Sequence, residues 1–190
     1  MPSPTTLPTF LKAAVTAFPF AYRTFAEEAA KTLAPFVDDS YRTTSVKMSV
    51  LGSTISIPSR IHFVHFEQAH LDVRNGVSLA VQCLCSRSTD GHIRQAALRA
   101  IVGTNDAAII PFVTILAGEY VVEITHDMIV ALPALDRGLY ANFVRENRAM
   151  MRKLRSKATS YWDCYYRTLY PDRGEYPGLA FLYEIERWAV

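Results

Sequence analysis

Glu67-Gln68-Ala69-His70 and Glu123-Ile124-Thr125-His126 share one pattern, Glu-x-x-His. On a helix this spacing sets a carboxylate and an imidazole on the same face. Two such units facing each other hold the di-iron site of ferritin-like bundles, with one glutamate from each of two further helices. Glu27 or Glu28 supplies the first of these, but the helices between the two units offer only Asp72 and Asp90, and Glu119 shares a helix with Glu123. One ligand is missing. A metal-dependent enzyme using Glu67, His70, Glu123 and His126 is therefore the third reading of function, behind two that need no metal. A zinc site from His62, His65, His70, Cys83 and Cys85 fits less well, because Cys-x-Cys on a helix points its two thiols about 200° apart; both cysteines read better as small packed hydrophobes. Cys164 sits among Trp162, Tyr165 and Tyr166 with Asp163 beside it, and no histidine follows His126 in the sequence to act as its base. Nucleophile elbow, P-loop and dinucleotide fingerprint are all missing from the sequence. The chain reads as non-catalytic more readily than as an enzyme, and no cofactor is expected.

The clearest interaction feature is the run from Arg145 to Lys157, with six basic groups and one acid. Arg145, Arg148, Arg152 and Arg155 follow steps of three, four and three, so one continuous helix aligns them in a cationic ridge. With Lys153 they are candidate contacts for phosphates or an acidic partner. Tyr161, Trp162, Tyr165, Tyr166 and Tyr170 come next, as stacking residues for bases or as the buried face of the same helix. The second alternative is favoured, since a basic stripe is commonly the solvated half of a helix. Leu154, Ala158, Tyr161 and Tyr165 have the spacing of its packed side.

These residues need elements to carry them. Met1 to Pro8 holds three prolines and reads as a disordered tail. From residue 9 to 190 the pattern predicts a single helical domain. Residues 10–36 have helical periodicity with a break or kink at Pro19. Val46, Met48 and Val50, then Ile55 and Ile57, alternate around Gly52-Ser53, which predicts a short β-hairpin near 46–57, with a helix over 42–51 as the alternative. Helices are expected at 60–70, 71–86 and 90–102, then over a long apolar segment from Asp106 to Leu132, and at 134–146, 148–170 and 179–189. Ile93, Ala97, Ile101, Phe112, Leu116, Val122 and Trp162 are the expected core.

Ser88 to Ile101 is the most regular of these stretches. Asp90 can cap the helix start. Ile93, Ala97, Leu98 and Ile101 fall on one face, with Arg94, Gln95 and Arg99 expected on the other. This Asp-x-x-Ile-Arg-x-x-Ala-Leu pattern resembles the second helix of an armadillo or HEAT unit. Together with Gly118 to Ile124, Ser160 to Arg167 and Tyr176-Pro177-Gly178, it resembles uncharacterised armadillo/HEAT-like helical proteins of mushroom-forming fungi. The resemblance implies an all-α fold, an armadillo/HEAT-like helical array or irregular bundle, in an intracellular protein, and implies no catalytic residues. The pattern has no second clear copy in the chain, as a long solenoid requires.

Composition bounds what remains. With 190 residues, half of them hydrophobic, the chain is long enough for a substantial core. Its formal charge of +2 is small for a dedicated nucleic-acid binder. Residues 61–142 carry five basic and eight acidic groups and residues 143–190 nine and six, so the positive field belongs to the C-terminal part. Three cysteines cannot all pair, which favours a reduced, intracellular setting in cytoplasm or nucleus. The longest apolar run, Ala107 to Gly118, is well short of the ~20 residues that span a bilayer, so no membrane span is expected. The first reading is thus a module that binds a protein partner or plays a structural part; the second is a polyanion or nucleic-acid binder using Arg145, Arg148, Arg152, Lys153 and Arg155.

Overall fold

A computed structural model describes residues 6–38, 44–66 and 76–190. The chain forms two compact units, Met1–Ile101 and Val102–Val190. In the first, α1 (Thr6–Thr16) and α2 (Arg23–Leu33) are joined by a 3₁₀ turn at Phe20–Tyr22 and pack together. Pro19 has no amide to continue α1, which explains the break. Phe10, Ala14, Ala17 and Phe18 of the first arm and Ala26, Ala29, Ala30 and Leu33 of the second are buried; the small alanines permit the close approach.

The expected hairpin is present. Strands β1 (Ser45–Val50) and β2 (Ser53–Pro58) pair antiparallel with Val46 opposite Ile57 and Met48 opposite Ile55. Met48, Val50, Ile55 and Ile57 are buried, as period-2 alternation demands of one face. Leu51 and Gly52 form the two-residue turn with φ of 51° and 73°. Positive φ at both positions is the type I′ geometry that suits the strand twist and favours Asn-Gly. Leu51 gains little burial in return for the strained backbone, since it is 62% exposed. Leu51→Asn should therefore stabilise the protein by about 1 kcal/mol, read as a raised urea midpoint.

The expected helix at 60–70 is not formed over its described part. Residues 61–66 are irregular, with bridges pairing Ile61 to Ser88 and Phe63 to Val37. The backbone of Ile61 donates to Arg87 O at 2.8 Å and accepts from Thr89 N at 2.9 Å, so its polar groups are satisfied by a distant segment rather than by a helical turn. Residues 67–70 lie outside the described residues. Helices α3 (Gly76–Cys85) and α4 (Gly91–Ile101) pack against each other. Asp90 caps α4 as expected, its carboxylate accepting from His92 N at 2.7 Å.

Arg94, expected on the polar face of α4, is instead buried, with its Nη1 donating to Ser88 O at 2.9 Å and Thr89 O at 3.0 Å. Arg87 is buried as well, and its Nε and Nη2 donate to Pro58 O at 3.2 Å and Ser59 O at 2.7 Å. Two guanidiniums thus satisfy the carbonyls of the loops at 58–59 and 88–89 inside the unit, where water cannot.

In the second unit the long apolar segment is divided into α5 (Ile110–Leu116), buried throughout, and α6 (Val122–Ala131). The interruption at 117–121 is held by hydroxyl donors: Tyr166 to Tyr120 O at 2.6 Å and Tyr176 to Glu119 O at 3.3 Å. Helix α7 (Arg137–Glu146) starts at Asp136, whose carboxylate accepts from Leu139 N at 2.9 Å. Asn147 separates α7 from α8 (Arg148–Tyr161). A π turn over Trp162–Tyr166 follows, and α9 (Pro177–Arg187) closes the chain, packed on α6, α7 and α8. Of the expected core, Ile93, Ala97, Ile101, Phe112 and Leu116 are buried, while Val122 and Trp162 are only half-buried. Among the described residues no helix is long and apolar enough to cross a membrane.

Candidate functional site

The ridge arginines do not lie on one helix. Asn147, with backbone φ of −123° and ψ of 29°, ends α7, and its side-chain amide donates to Phe143 O at 2.9 Å. Arg145 is therefore left on α7, where its Nε donates to Ala189 O at 3.2 Å and its Nη1 to Asn142 Oδ1 at 3.0 Å. It acts as a clasp on the end of α9. Arg148, Arg152 and Arg155 keep helical spacing on α8 and line a groove of about 380 Å³. The floor is apolar, formed by the buried Val144 and Met151 together with Ala189. Lys153 is exposed but does not line the groove.

The three groove arginines differ in occupation. Arg155 faces Glu186 at 3.4 Å, their side chains 40% and 22% exposed. Burial pushes the Glu186 carboxyl above its ordinary range and the Arg155 charge opposes that shift. Arg148 and Arg152 are exposed, and their side chains make no hydrogen bond or ion pair among the described residues. Two guanidiniums over an apolar floor can hold a carboxylate or phosphate while an apolar group beside it leaves water.

The packed side of α8 is only half as expected. Leu154 and Ala158 are buried and Tyr161 is half-buried, but Tyr165 is 70% exposed. The π turn explains this, because each wider turn rotates the residues after it relative to a continued 3.6-residue pattern. The aromatic residues form a cluster of their own. Tyr166 stacks on Tyr176 with centroids 5.4 Å apart, Tyr170 meets Tyr176 edge-on, and Trp162 Nε1 donates to Tyr170 O at 2.8 Å. Arg167 lies over the Trp162 ring and pairs with Asp163. Most of these hydroxyl and ring contacts are internal, so the cluster organises the 117–121 and 162–176 segments.

Of the metal candidates, Glu67 and His70 lie outside the described residues. Glu123 and His126 are exposed on α6, and His126 Nε2 shares a 2.7 Å hydrogen bond with the Tyr170 hydroxyl. His62 Nδ1 is bonded to Thr89 Oγ1 at 2.9 Å. Among the described residues no three His, Cys, Asp or Glu side chains gather as a metal site. Cys83 and Cys85 are buried on α3, and desolvation pushes the Cys85 thiol pKa upward. Cys164 is exposed in the π turn.

The fold and groove together define a helical protein with one short hairpin and an arginine-walled surface channel. Comparison with family models, curated proteins and solved structures returns no match.

Proposed function

We propose that this chain is a non-catalytic, intracellular protein-binding module whose groove between α8 and the end of α9 takes an acidic segment of its partner. The observation that carries this reading is the pair Arg148 and Arg152, exposed and unpartnered among the described residues, above an apolar floor. Solvated arginines alone are common on helices; the apolar floor supplies affinity that a bare charged stripe lacks. The packing of α3 on α4 supports an armadillo- or HEAT-like pairing in residues 76–101. Nucleic acid is the weaker partner class. Its binding needs many phosphate contacts, whereas only two groove arginines are unengaged.

Fluorescence anisotropy with dye-labelled peptides carrying glutamates next to leucines tests the proposal. Arg148→Ala and Arg152→Ala should each weaken binding about tenfold and leave the thermal midpoint unchanged, because neither side chain supports the fold. Undiminished affinity in the double variant overturns the groove as the site. Tighter binding of single-stranded RNA than of any peptide, with a salt slope that drops when these arginines are removed, replaces the reading with a nucleic-acid one.

A further inference from the structure

Arg155 of α8 meets Glu186 of α9, and Arg145 of α7 meets Ala189 just past the end of α9. Arg148 and Arg155 are seven residues apart, about 10 Å along the axis. The groove is therefore not uniformly cationic. Toward Arg148 and Arg152 it presents two guanidiniums without partners among the described residues, and toward Arg155 it presents a guanidinium already answered by a carboxylate. Met151, between Arg148 and Arg155 along α8, is part of the apolar floor.

We infer that Glu186 is a specificity-determining residue, which makes the groove select a segment whose acidic side chains lie on one side only of its apolar anchor. This rests on the groove being the binding surface proposed above. An anchor seated on Met151 and Val144 has Arg152 alongside it and places acids on one flank beside Arg148. Acids on the other flank meet the Glu186 carboxylate, and Arg155, which faces Glu186 through Nη1, has to share its charge between the two. Like charges brought together in a partly desolvated groove are weakly screened, so this flank discriminates rather than merely failing to attract. The upward push that burial gives the Glu186 carboxyl agrees with a poorly hydrated position.

The test uses short dye-labelled peptides with one central leucine pair and the same number of glutamates. In one set all the glutamates stand on a single side of the leucines, made in both chain directions; in the other they are divided equally between the two sides. Net charge is identical, so a diffuse cationic surface binds both sets alike. The wild-type protein should bind the better one-sided peptide about fivefold more tightly than the divided one. In Glu186→Gln the ratio should fall below about twofold, mainly through tighter binding of the divided peptide, while Glu186→Asp, which keeps the charge, should retain the preference. Equal binding of both sets by the wild type overturns the inference, as does a preference that survives Glu186→Gln in protein with a normal circular dichroism melt. Absence of binding by every peptide overturns the groove reading itself and the inference with it, a result distinguishable because Glu186→Gln then changes nothing.

Discussion

A single methyl group added at Gly178 should cost the second unit about 2 kcal/mol of stability. An ideal Cβ there would stand 2.5 Å from Ala117 O, 3.2 Å from Tyr176 Cε1 and 3.3 Å from Thr125 Cγ2. The nearest of these is backbone and cannot rotate aside. Either α9 or the 117–121 segment must move, and with it the hydroxyl bonds from Tyr166 and Tyr176 that hold that segment. Alanine is the better helix former by up to about 1 kcal/mol, and this offsets part of the overpacking without reversing it. Urea denaturation of Gly178→Ala should show the loss, while Gly103→Ala, where nothing lies within 4 Å of the added atom, should stay within about 0.5 kcal/mol of wild type. A Gly178→Ala protein as stable as its parent means the helices are less closely apposed than described.

The other large effect belongs to the first unit. Arg87→Leu keeps much of the volume but strips Pro58 O and Ser59 O of a buried donor each, and should destabilise the protein by about 3 kcal/mol. Arg87→Lys should recover little of this, because one ammonium cannot reproduce the fork that reaches both carbonyls. Amide exchange adds a local readout: protection should fall first at Ile61 and Thr89, whose backbone pairing joins the same loops. Wild-type protection in Arg87→Leu contradicts the assigned role.

Much of the fold was legible because it obeys short-range rules. The hairpin follows from alternation around Gly52, and α4 from an Asp90 cap followed by Ile93, Ala97 and Ile101 at helical steps. Arg94 shows where residue type misled the reading. It stands three residues before Ala97 and seven before Ile101, so spacing alone puts it on the apolar stripe; only its charge argued for the outer face. The 61–66 segment escaped because its backbone partners lie more than twenty residues away, in Phe36 and the 87–89 turn. For the site, the run of arginines gave the right helix and three of the groove's charged residues. The helices expected at 134–146 and 148–170 already part at Asn147, which takes Arg145 off the ridge and makes it a clasp, but no local pattern pointed to Glu186, which α9 brings to Arg155 across 31 residues of chain. Groove-lining apolar residues such as Val144 and Met151 look like ordinary core positions in sequence, and only tertiary packing opens a groove beside them.

The unequal exposure of the three thiols makes this protein a natural single-site reagent. Maleimide chemistry needs an accessible thiolate; Cys83 and Cys85 are enclosed in α3, and Cys164 stands in solvent just after α8. A dye can therefore be placed on Cys164 of the unmutated native chain, at the far end of the helix that carries Arg148 and Arg152. Such a label turns the groove's own helix into a distance ruler for a second dye on any bound peptide. The direction in which a peptide lies along α8 then becomes a spectroscopic measurement.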